Sequence, residues 1–344
     1  MSQAEIVRVE NLKKYFPVEK SFLEKMLTRS RSFIRAVDDV SFSVLKGEVF
    51  TLAGESGCGK TTTGKLILGL IPPTAGRIFF KDQEITNLKS EKLRLLRRRM
   101  QIVFQDPYAS FNPRMKIGDA VGHPLEIHGL ATGVEKRKRV LSMLERVGLT
   151  PPEQFIELYP HQLSGGQRQR AAIARSLILN PEFIVADEPV SMIDVSLRTT
   201  IIDLMLDLKR ELQLTYLFIT HDLAVAKYIS DRVAIMYLGR IVEMGGKEEI
   251  FSKPLHPYTQ ALLSAIPVPN PGRKRKTIEL KGEVPSAINI PTGCRFHPRC
   301  PFAERICREK EPELAVTSAN YLVACHLIKG REHMIYANTS QTQG

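Results

Sequence analysis

The sequence predicts an α/β fold organised around a phosphate-binding loop, and three observations predict it. First, an apolar run from Glu48 to Ala53 reads as a buried strand. It is followed by Gly54-Glu55-Ser56-Gly57-Cys58-Gly59-Lys60-Thr61 and then by a helical pattern through Leu66, Ile67 and Leu70. Second, the apolar strands Phe183-Ile184-Val185-Ala186 and Tyr216 to Ile219 end in Asp187-Glu188 and Thr220-His221-Asp222. Polar groups at the carboxyl ends of parallel strands stand where such sheets place their ligand contacts. Third, the pattern from about Asp119 to Leu179 is helical, interrupted by Pro151-Pro152 and Pro160. Residues of about 106 to 175 are therefore predicted to form a helical subdomain inserted into the nucleotide fold.

Gly54, Gly59, Lys60 and Thr61 fit the pattern G-x-x-x-x-G-K-[ST] in the strand, loop and helix setting that the pattern requires. Glycines let successive backbone N–H groups, here from Glu55 through Thr62, turn inward to cradle phosphate oxygens. The helix that follows aims its positive dipole end at the same charge. Lys60 reaches the terminal phosphates, and Thr61 offers a hydroxyl to Mg²⁺, a cation that takes few protein ligands.

The remaining elements follow in order. Ile6, Val7 and Val9, then Leu12, Tyr15 and Phe16, predict an edge strand, in which Tyr15 reads equally as a strand aromatic. A charged, irregular stretch from about Val18 to Arg35, with an amphipathic run near Phe22, Leu23, Met26 and Leu27, predicts an inserted hairpin or loop. Val37, Val40, Phe42 and Val44 restore strand spacing. Pro72-Pro73-Thr74-Ala75-Gly76 is a breaker cluster before a short strand, Arg77 to Phe80. Residues 90 to 99 read as a basic helix leading into the strand Ile102-Val103-Phe104. Gln105 then ends that strand with an amide placed to meet Mg²⁺ or an attacking water, and Pro107 breaks the strand beyond it.

Leu141, Leu144, Val147 and Leu149 supply an apolar stripe to the helical insertion, which ends in Leu163-Ser164-Gly165-Gly166-Gln167. A serine and two glycines directly before a helix make a second anion-binding helix start. Asp187 is positioned to hold Mg²⁺, and Glu188 to act as general base on an attacking water. Asp194 reads as an N-cap of the helix over 195 to 212, or as a group reaching across a subunit boundary. Val233, Ile235 and Tyr237, then Ile241 and Val242, predict a hairpin around Gly239.

Composition bounds the partners. The chain has 344 residues and 43% hydrophobic content, enough for two domains or one large domain with an extension. No apolar run approaches the ~20 residues that span a bilayer. Met1 to Glu5 lacks the basic and apolar segments of a signal peptide, so a cytoplasmic location is expected. Lys and Arg number 49 against 37 Asp and Glu, a net charge of +12, with runs at Arg97-Arg98-Arg99, Lys136 to Arg139 and Arg273 to Lys276. No aromatic residues interleave with these runs as a base-stacking platform requires, and no nucleic-acid partner is expected.

The phosphate loop, Gln105, Leu163 to Gln167, Asp187-Glu188, Asp194 and His221, in this order, resemble the nucleotide-binding subunit of an ABC transporter over roughly residues 5 to 265. The resemblance implies a phosphate-loop NTPase core with an antiparallel β subdomain and an inserted helical subdomain. It matches Tyr15 to the aromatic residue that stacks on adenine, His221 to the switch histidine at the terminal phosphate, and Gln105 to the loop that senses it and meets the membrane subunits. It also implies two cassettes meeting head to tail, with ATP between Lys60 of one and Ser164 and Gly166 of the other.

Leu255 to Leu262, a Pro- and basic-rich linker and Gly282 to Ser286 follow Phe251, and Tyr159-Pro160-His161-Gln162 precedes the signature. These segments are similar to the oligopeptide/dipeptide importer ATPases, so residues 266 to 344 are expected to form their C-terminal extension. Asp187-Glu188-Pro189-Val190-Ser191 resembles one sibling of the pair such importers carry. The implied partners are therefore a sibling ATPase, two integral membrane permease subunits and an extracytoplasmic substrate-binding protein, with this chain peripheral on the cytoplasmic face. The chain departs from the family at Met192-Ile193, where alanine and leucine are usual, and both replacements are apolar. Importers of oligosaccharide or nickel have the same tail. A soluble ATPase acting on nucleic acid or the ribosome is the more remote alternative, since the chain shows neither a long coiled-coil insertion nor a second cassette.

Cys58 sits at a variable loop position. Cys294, Cys300, Cys307 and Cys325 have the spacing C-x5-C-x6-C-x17-C. In a cytosolic chain, four thiols suit zinc, an iron–sulfur cluster or unliganded thiols rather than disulfides, and the tight C-x2-C knuckle of structural zinc is missing. The resemblance to the importer tail implies a [4Fe–4S] cluster.

Overall fold

The computed structural model describes residues 4–18, 32–266, 278, 280, 282–318 and 320–328. The amphipathic run near Phe22 to Leu27 and the basic run Arg273 to Lys276 lie outside these residues.

Strand β1 (Glu5–Pro17) pairs antiparallel with β2 (Phe33–Leu45). The chain then enters β3 (Val49–Ala53) and, through the phosphate loop, α1 (Lys60–Ile67). β4 (Ala75–Phe80), β5 (Gln83–Glu84), α2 (Ser90–Arg97) and β6 (Met100–Val103) follow. Four helices come next: α3 (Ile117–Ile127), α4 (Gly133–Arg146), the short α5 (Pro152–Phe155) and α6 (Gly165–Leu177). Then β7 (Phe183–Asp187), α7 (Val195–Leu212), β8 (Thr215–Thr220), α8 (Leu223–Ile229), β9 (Arg232–Tyr237) and β10 (Arg240–Gly246) complete the alternating part. The tail contributes α9 (Lys247–Ser252), α10 (Pro257–Ser264), α11 (Arg305–Glu309), β11 (Ala315–Ser318) and β12 (Tyr321–Val323).

The strands form two sheets, one in the order β2-β1-β4-β5 and one in the order β11-β12-β10-β9-β3-β8-β7-β6. In the large sheet β9, β3, β8, β7 and β6 run parallel, and β10 and β12 add on antiparallel. The antiparallel sheet and the helical insertion expected from the resemblance are both present. One expectation changes. β1 is flanked by β2 and β4, so it is an interior strand of the small sheet and not an edge. In the C-terminal extension, β12 pairs with β10 and lengthens the main sheet.

Alternation along the parallel strands divides the core, since successive side chains point to opposite faces. Val49, Ile184, Ala186, Tyr216 and Phe218 face the helical layer, packing with Val121, Leu144, Val147 and Ile173. Phe50, Leu52, Phe183, Val185, Leu217 and Ile219 face the small sheet, packing with Val9, Leu12, Val40 and Phe42. Phe42 stacks on Phe50 at 4.9 Å. A third cluster, of Tyr237, Tyr258, Phe296, Tyr321 and Val323, buries the tail against the sheet. Burial of each such side chain contributes about 1.5–3 kcal/mol. No helix among the described residues is long and apolar enough to cross a membrane.

Register positions the site. Ala53 pairs with Thr220, Asp187 with Ile219 and Val103 with Ala186. The residues that follow these strand ends, Gly54, His221, Glu188 and Gln105, therefore emerge together along one carboxyl edge.

Candidate active site

Gly54 leaves β3 with φ +149°, and a Cβ there would lie 2.3 Å from the Met236 carbonyl oxygen. At Gly59, φ is +109° and a Cβ would lie 2.1 Å from the Ala36 oxygen. The loop is thus closed down on its neighbours at both ends in conformations only glycine adopts. Between them Glu55 is half-buried, Ser56 and Gly57 are exposed and Cys58 is buried, its thiol pushed up by burial. Lys60 is 4% exposed. Its ammonium donates to the Gly54 and Glu55 carbonyls at 2.8 and 3.0 Å, which ties it to the start of the loop.

Thr61 and Thr62 open α1. The Thr61 hydroxyl donates to Asp187 Oδ1 at 2.8 Å. Burial, with the neighbouring Glu188 charge adding to it, raises the Asp187 pKa, and the Thr61 hydrogen bond opposes the rise. A buried carboxylate beside a second carboxylate and a hydroxyl is an all-oxygen donor set, which suits a hard dication such as Mg²⁺.

Glu188 is 8% exposed and has φ 46°, a left-handed turn that costs a non-glycine residue roughly 1–2 kcal/mol. The turn is pinned by the Glu188 N–H on the Ile219 carbonyl at 2.9 Å and by the Ser191 hydroxyl on the Glu188 carbonyl at 3.0 Å. It swings the carboxylate out of the strand line. There Oε2 accepts the Gln105 amide at 3.0 Å and faces His221 Nδ1 at 2.9 Å. His221 is exposed, leaving the rest of the ring open to an incoming group.

Tyr15 lies in β1, half-buried, with its hydroxyl donating to Asp38 and the Arg35 guanidinium 5.7 Å from its ring centroid. Burial together with the Asp38 hydrogen bond pushes the phenol up to about 12.

The serine-glycine-glycine-glutamine segment stands on the helical side. Ser164 is the N-cap of α6: its Oγ accepts the Gln167 N–H at 3.3 Å, while Gln167 Oε1 accepts the Ser164 N–H at 3.0 Å. This reciprocal pair satisfies two helix-start donors and is worth about 1 kcal/mol. It leaves Ser164 exposed, with Gly165 half-buried and Gly166 buried against Leu197 of α7. Asp194 occupies the N-cap position of α7 and is exposed, but its side chain makes no capping hydrogen bond. The structure thus brings Lys60, Thr61, Asp187, Glu188, Gln105 and His221 into one chemical group, while Ser164 and Gln167 pair with each other at the start of α6 and Asp194 stands at the start of α7.

The expected [4Fe–4S] site is not assembled. All four thiols are free, and among the described residues no group of three or more His, Cys, Asp or Glu side chains is placed to hold a metal ion. Burial pushes Cys294 up to about 11 and Cys325 up to about 12, and raises Cys300, which disfavours the thiolate form that a metal ligand takes at these three. The four do lie near one another: the Cys294 N–H donates to the Cys307 carbonyl at 2.8 Å, and Cys294, Cys300 and Cys325 pack against one apolar cluster.

Sequence reasoning missed Asp38, Arg295 and Arg299. Asp38 joins Tyr15 to Arg295, and Arg299 grips Glu55 of the phosphate loop. No local pattern signals partners separated by more than two hundred residues.

A glycine-rich loop with Lys60 and Thr61, the carboxylates Asp187 and Glu188 with Gln105 and His221 on the carboxyl edge of one sheet, and a serine-capped Ser-Gly-Gly-Gln helix start are the parts of an ATP-binding cassette ATPase. Residues 37–191 match the family model described as ABC transporter, and residues 242–307 match that described as oligopeptide/dipeptide transporter, C-terminal region. The chain is 50% identical over 329 residues to the oligopeptide transport ATP-binding protein AppF of Bacillus subtilis, covering 95% of this chain and 98% of that one. It is 49% identical to the dipeptide transport ATP-binding protein DppF of Haemophilus influenzae, covering 91% and 94%. Among solved structures, a dimeric ATP-binding cassette bound to ADP and phosphate superposes with a TM-score of 0.61 at 30% identity, covering 70% of this chain and 98% of that one. The chain belongs to the ATP-binding subunits of ABC transporters, in the branch that carries the oligopeptide/dipeptide transporter C-terminal region.

Proposed function

We propose that this chain hydrolyses ATP to drive uptake of oligopeptides or dipeptides through a membrane importer. The observation that carries the chemistry is the shared Glu188 oxygen between Gln105 and His221, beside Thr61 and Asp187. The relatives named for oligopeptide and dipeptide transport support the cargo class.

In this reading the loop amides and Lys60 hold the phosphates and Tyr15 meets the adenine. Thr61, Gln105 and Asp187 would hold Mg²⁺, which neutralises phosphate charge when bound. Glu188 takes a proton from the attacking water, and His221 and Gln105 orient its carboxylate.

ATP then lies between two cassettes, because Ser164, Gly166 and Asp194 of a partner complete the site. Exposed apolar side chains around that surface support such a seam: Met192 is 57% exposed and Val195 75%. We read the cassette as residues 5 to 265 and the extension as 266 to 344. The partners in this reading are a sibling ATPase, two permease subunits and an extracytoplasmic binding protein, with the chain peripheral at the cytoplasmic face.

For the extension, the reading is a [4Fe–4S] cluster on Cys294, Cys300, Cys307 and Cys325. It is supported by four sulfur donors in one neighbourhood and requires them to draw together. Anaerobically purified protein should then contain iron and acid-labile sulfide, and protein lacking both rejects it.

The deciding experiment is affinity capture of the chain from its native membranes, in detergent with ATP. Recovery of two multi-span subunits, a sibling ATPase and a binding protein is expected. Recovery of nucleic acid or ribosomes, with no membrane subunit, overturns transport and leaves the ATPase chemistry standing.

A further inference from the structure

The segment between Cys294 and Cys300 places two arginines, four residues apart, against two opposite parts of the nucleotide site. Arg299 is 7% exposed, and its guanidinium makes a two-pronged ion pair with Glu55 of the phosphate loop, at 2.7 and 3.1 Å. The Arg299 guanidinium also stands 5.9 Å from the Tyr237 ring centroid. The Glu55 N–H meanwhile donates to the hydroxyl of Tyr258 in α10 at 3.0 Å. The side chain of Glu55 is thus held by the extension and its backbone by α10.

Arg295 is 5% exposed and ion-pairs with Asp38, the same carboxylate that accepts the Tyr15 hydroxyl. It is itself fixed by the Leu238 carbonyl and by Glu311 at 2.9 Å. Burial would raise the Asp38 carboxyl, but the hydrogen bonds from Tyr15 and Arg295 outweigh it and hold the group ionised.

We infer that Arg299 and Arg295 are positioning residues through which the C-terminal extension sets the two ends of the ATP site. Arg299 acts through Glu55 on the phosphate cradle, and Arg295 acts through Asp38 on the Tyr15 ring. Neither arginine touches nucleotide. A two-pronged arginine–carboxylate pair fixes orientation as well as distance. The loop it fixes is the one whose carbonyls, Gly54 and Glu55, hold the Lys60 ammonium. Small errors in such placement are amplified in binding and turnover. The inference rests on the nucleotide-site reading above, and it gives the extension a role inside the ATPase site whether or not its cysteines bind a cluster.

The two arms predict different losses, which a general loss of structure does not. In the full chain, affinity would be measured for Mg·ATP and for inorganic tripolyphosphate, with steady-state ATPase in the assembled complex and thermal unfolding alongside. Arg299→Ala should weaken both ligands roughly tenfold to a hundredfold and raise KM more than it lowers kcat. Arg299→Lys should recover only part, and Glu55→Gln should repeat the phenotype without disturbing the tail. Arg295→Ala, and Tyr15→Phe, which frees the ring from Asp38 without emptying the core, should weaken ATP and reduce its preference over GTP. Both should leave tripolyphosphate affinity unchanged. Folded Arg299 and Glu55 variants with unchanged ATP affinity overturn the phosphate arm. Equal losses for ATP and tripolyphosphate in Arg295→Ala and Tyr15→Phe overturn the adenine arm. Lys60→Ala separates the two levels: if it keeps ATP affinity, the nucleotide-site reading fails, and if it alone loses ATP, only the brace fails.

Discussion

His221 Nδ1 stands 2.9 Å from Oε2 of Glu188, the oxygen that the Gln105 amide also reaches, at 3.0 Å. One carboxylate oxygen is thus fixed from two sides, and in the proposed reading the other would meet the attacking water. Glu188→Gln conserves the shape and removes the base. ATP binding should persist while hydrolysis falls about 10²- to 10⁴-fold. A closed dimer should then accumulate, seen by size exclusion with ATP and by phosphate release. Normal turnover in this variant would remove Glu188 from the role.

The Thr61 hydroxyl and Asp187 Oδ1 are 2.8 Å apart, and burial raises the Asp187 pKa. A dication offsets that burial cost, so Asp187→Asn should raise the Mg²⁺ concentration for half-maximal ATPase by tenfold or more, as loss of a carboxylate near a metal commonly does. Nucleotide binding measured in EDTA should change little. An unchanged Mg²⁺ titration would place the cation elsewhere.

Two glycines of one loop should behave differently. At Gly54 a Cβ would lie 2.3 Å from a backbone oxygen, whereas at Gly57, with φ +79°, it would meet nothing within 4 Å. Gly57→Ala meets only the left-handed backbone cost, about 1–2 kcal/mol, and should keep ATP affinity. Gly54→Ala must move the β9 end as well and should lose ATP binding together with more than about 2 kcal/mol of stability. Urea unfolding and equilibrium nucleotide binding of both variants check this, and equal effects at the two positions would contradict the close approach.

How much of this was legible in the sequence follows from how local each signal is. The phosphate loop, the strand ends at Asp187 and His221 and the signature helix start each carry their chemistry within about ten residues, so spacing alone exposes them. The β1 edge assignment failed because alternation along Ile6, Val7 and Val9 reports burial of a face, and neither neighbour across the sheet leaves a mark in it. Asp194 has an N-cap residue type at an N-cap position, yet its side chain makes no capping bond. The extension was read through its cysteines, whereas its close contacts with the cassette come from Arg295 and Arg299. A buried arginine paired across the fold has the same sequence signature as a solvated one.

His256 gives the tail a pH dependence whose sign is fixed by its hydrogen bond. The residue is 1% exposed, and its Nδ1 accepts the Tyr258 N–H at 3.1 Å, which requires that nitrogen unprotonated. Burial holds its pKa at about 3, against 6.5 ordinarily. Between those values the unfolded chain binds a proton that the folded chain does not, so its contribution to stability falls as pH drops from about 6.5 towards 3. The slope approaches 1.4 kcal/mol per pH unit. Glu243, which accepts the His256 N–H at 3.2 Å, is raised by burial and acts in the opposite sense, its contribution falling as pH rises above the carboxylate range. The clean measurement is therefore a difference. Relative to His256→Gln, the wild-type chain should lose about 2 kcal/mol between pH 7.5 and 5 in urea unfolding. Parallel curves would mean that the folded protein accepts the proton. Because Tyr258, whose backbone His256 caps, holds Glu55 of the phosphate loop through its hydroxyl, acid loosening here should also weaken ATP binding before global unfolding.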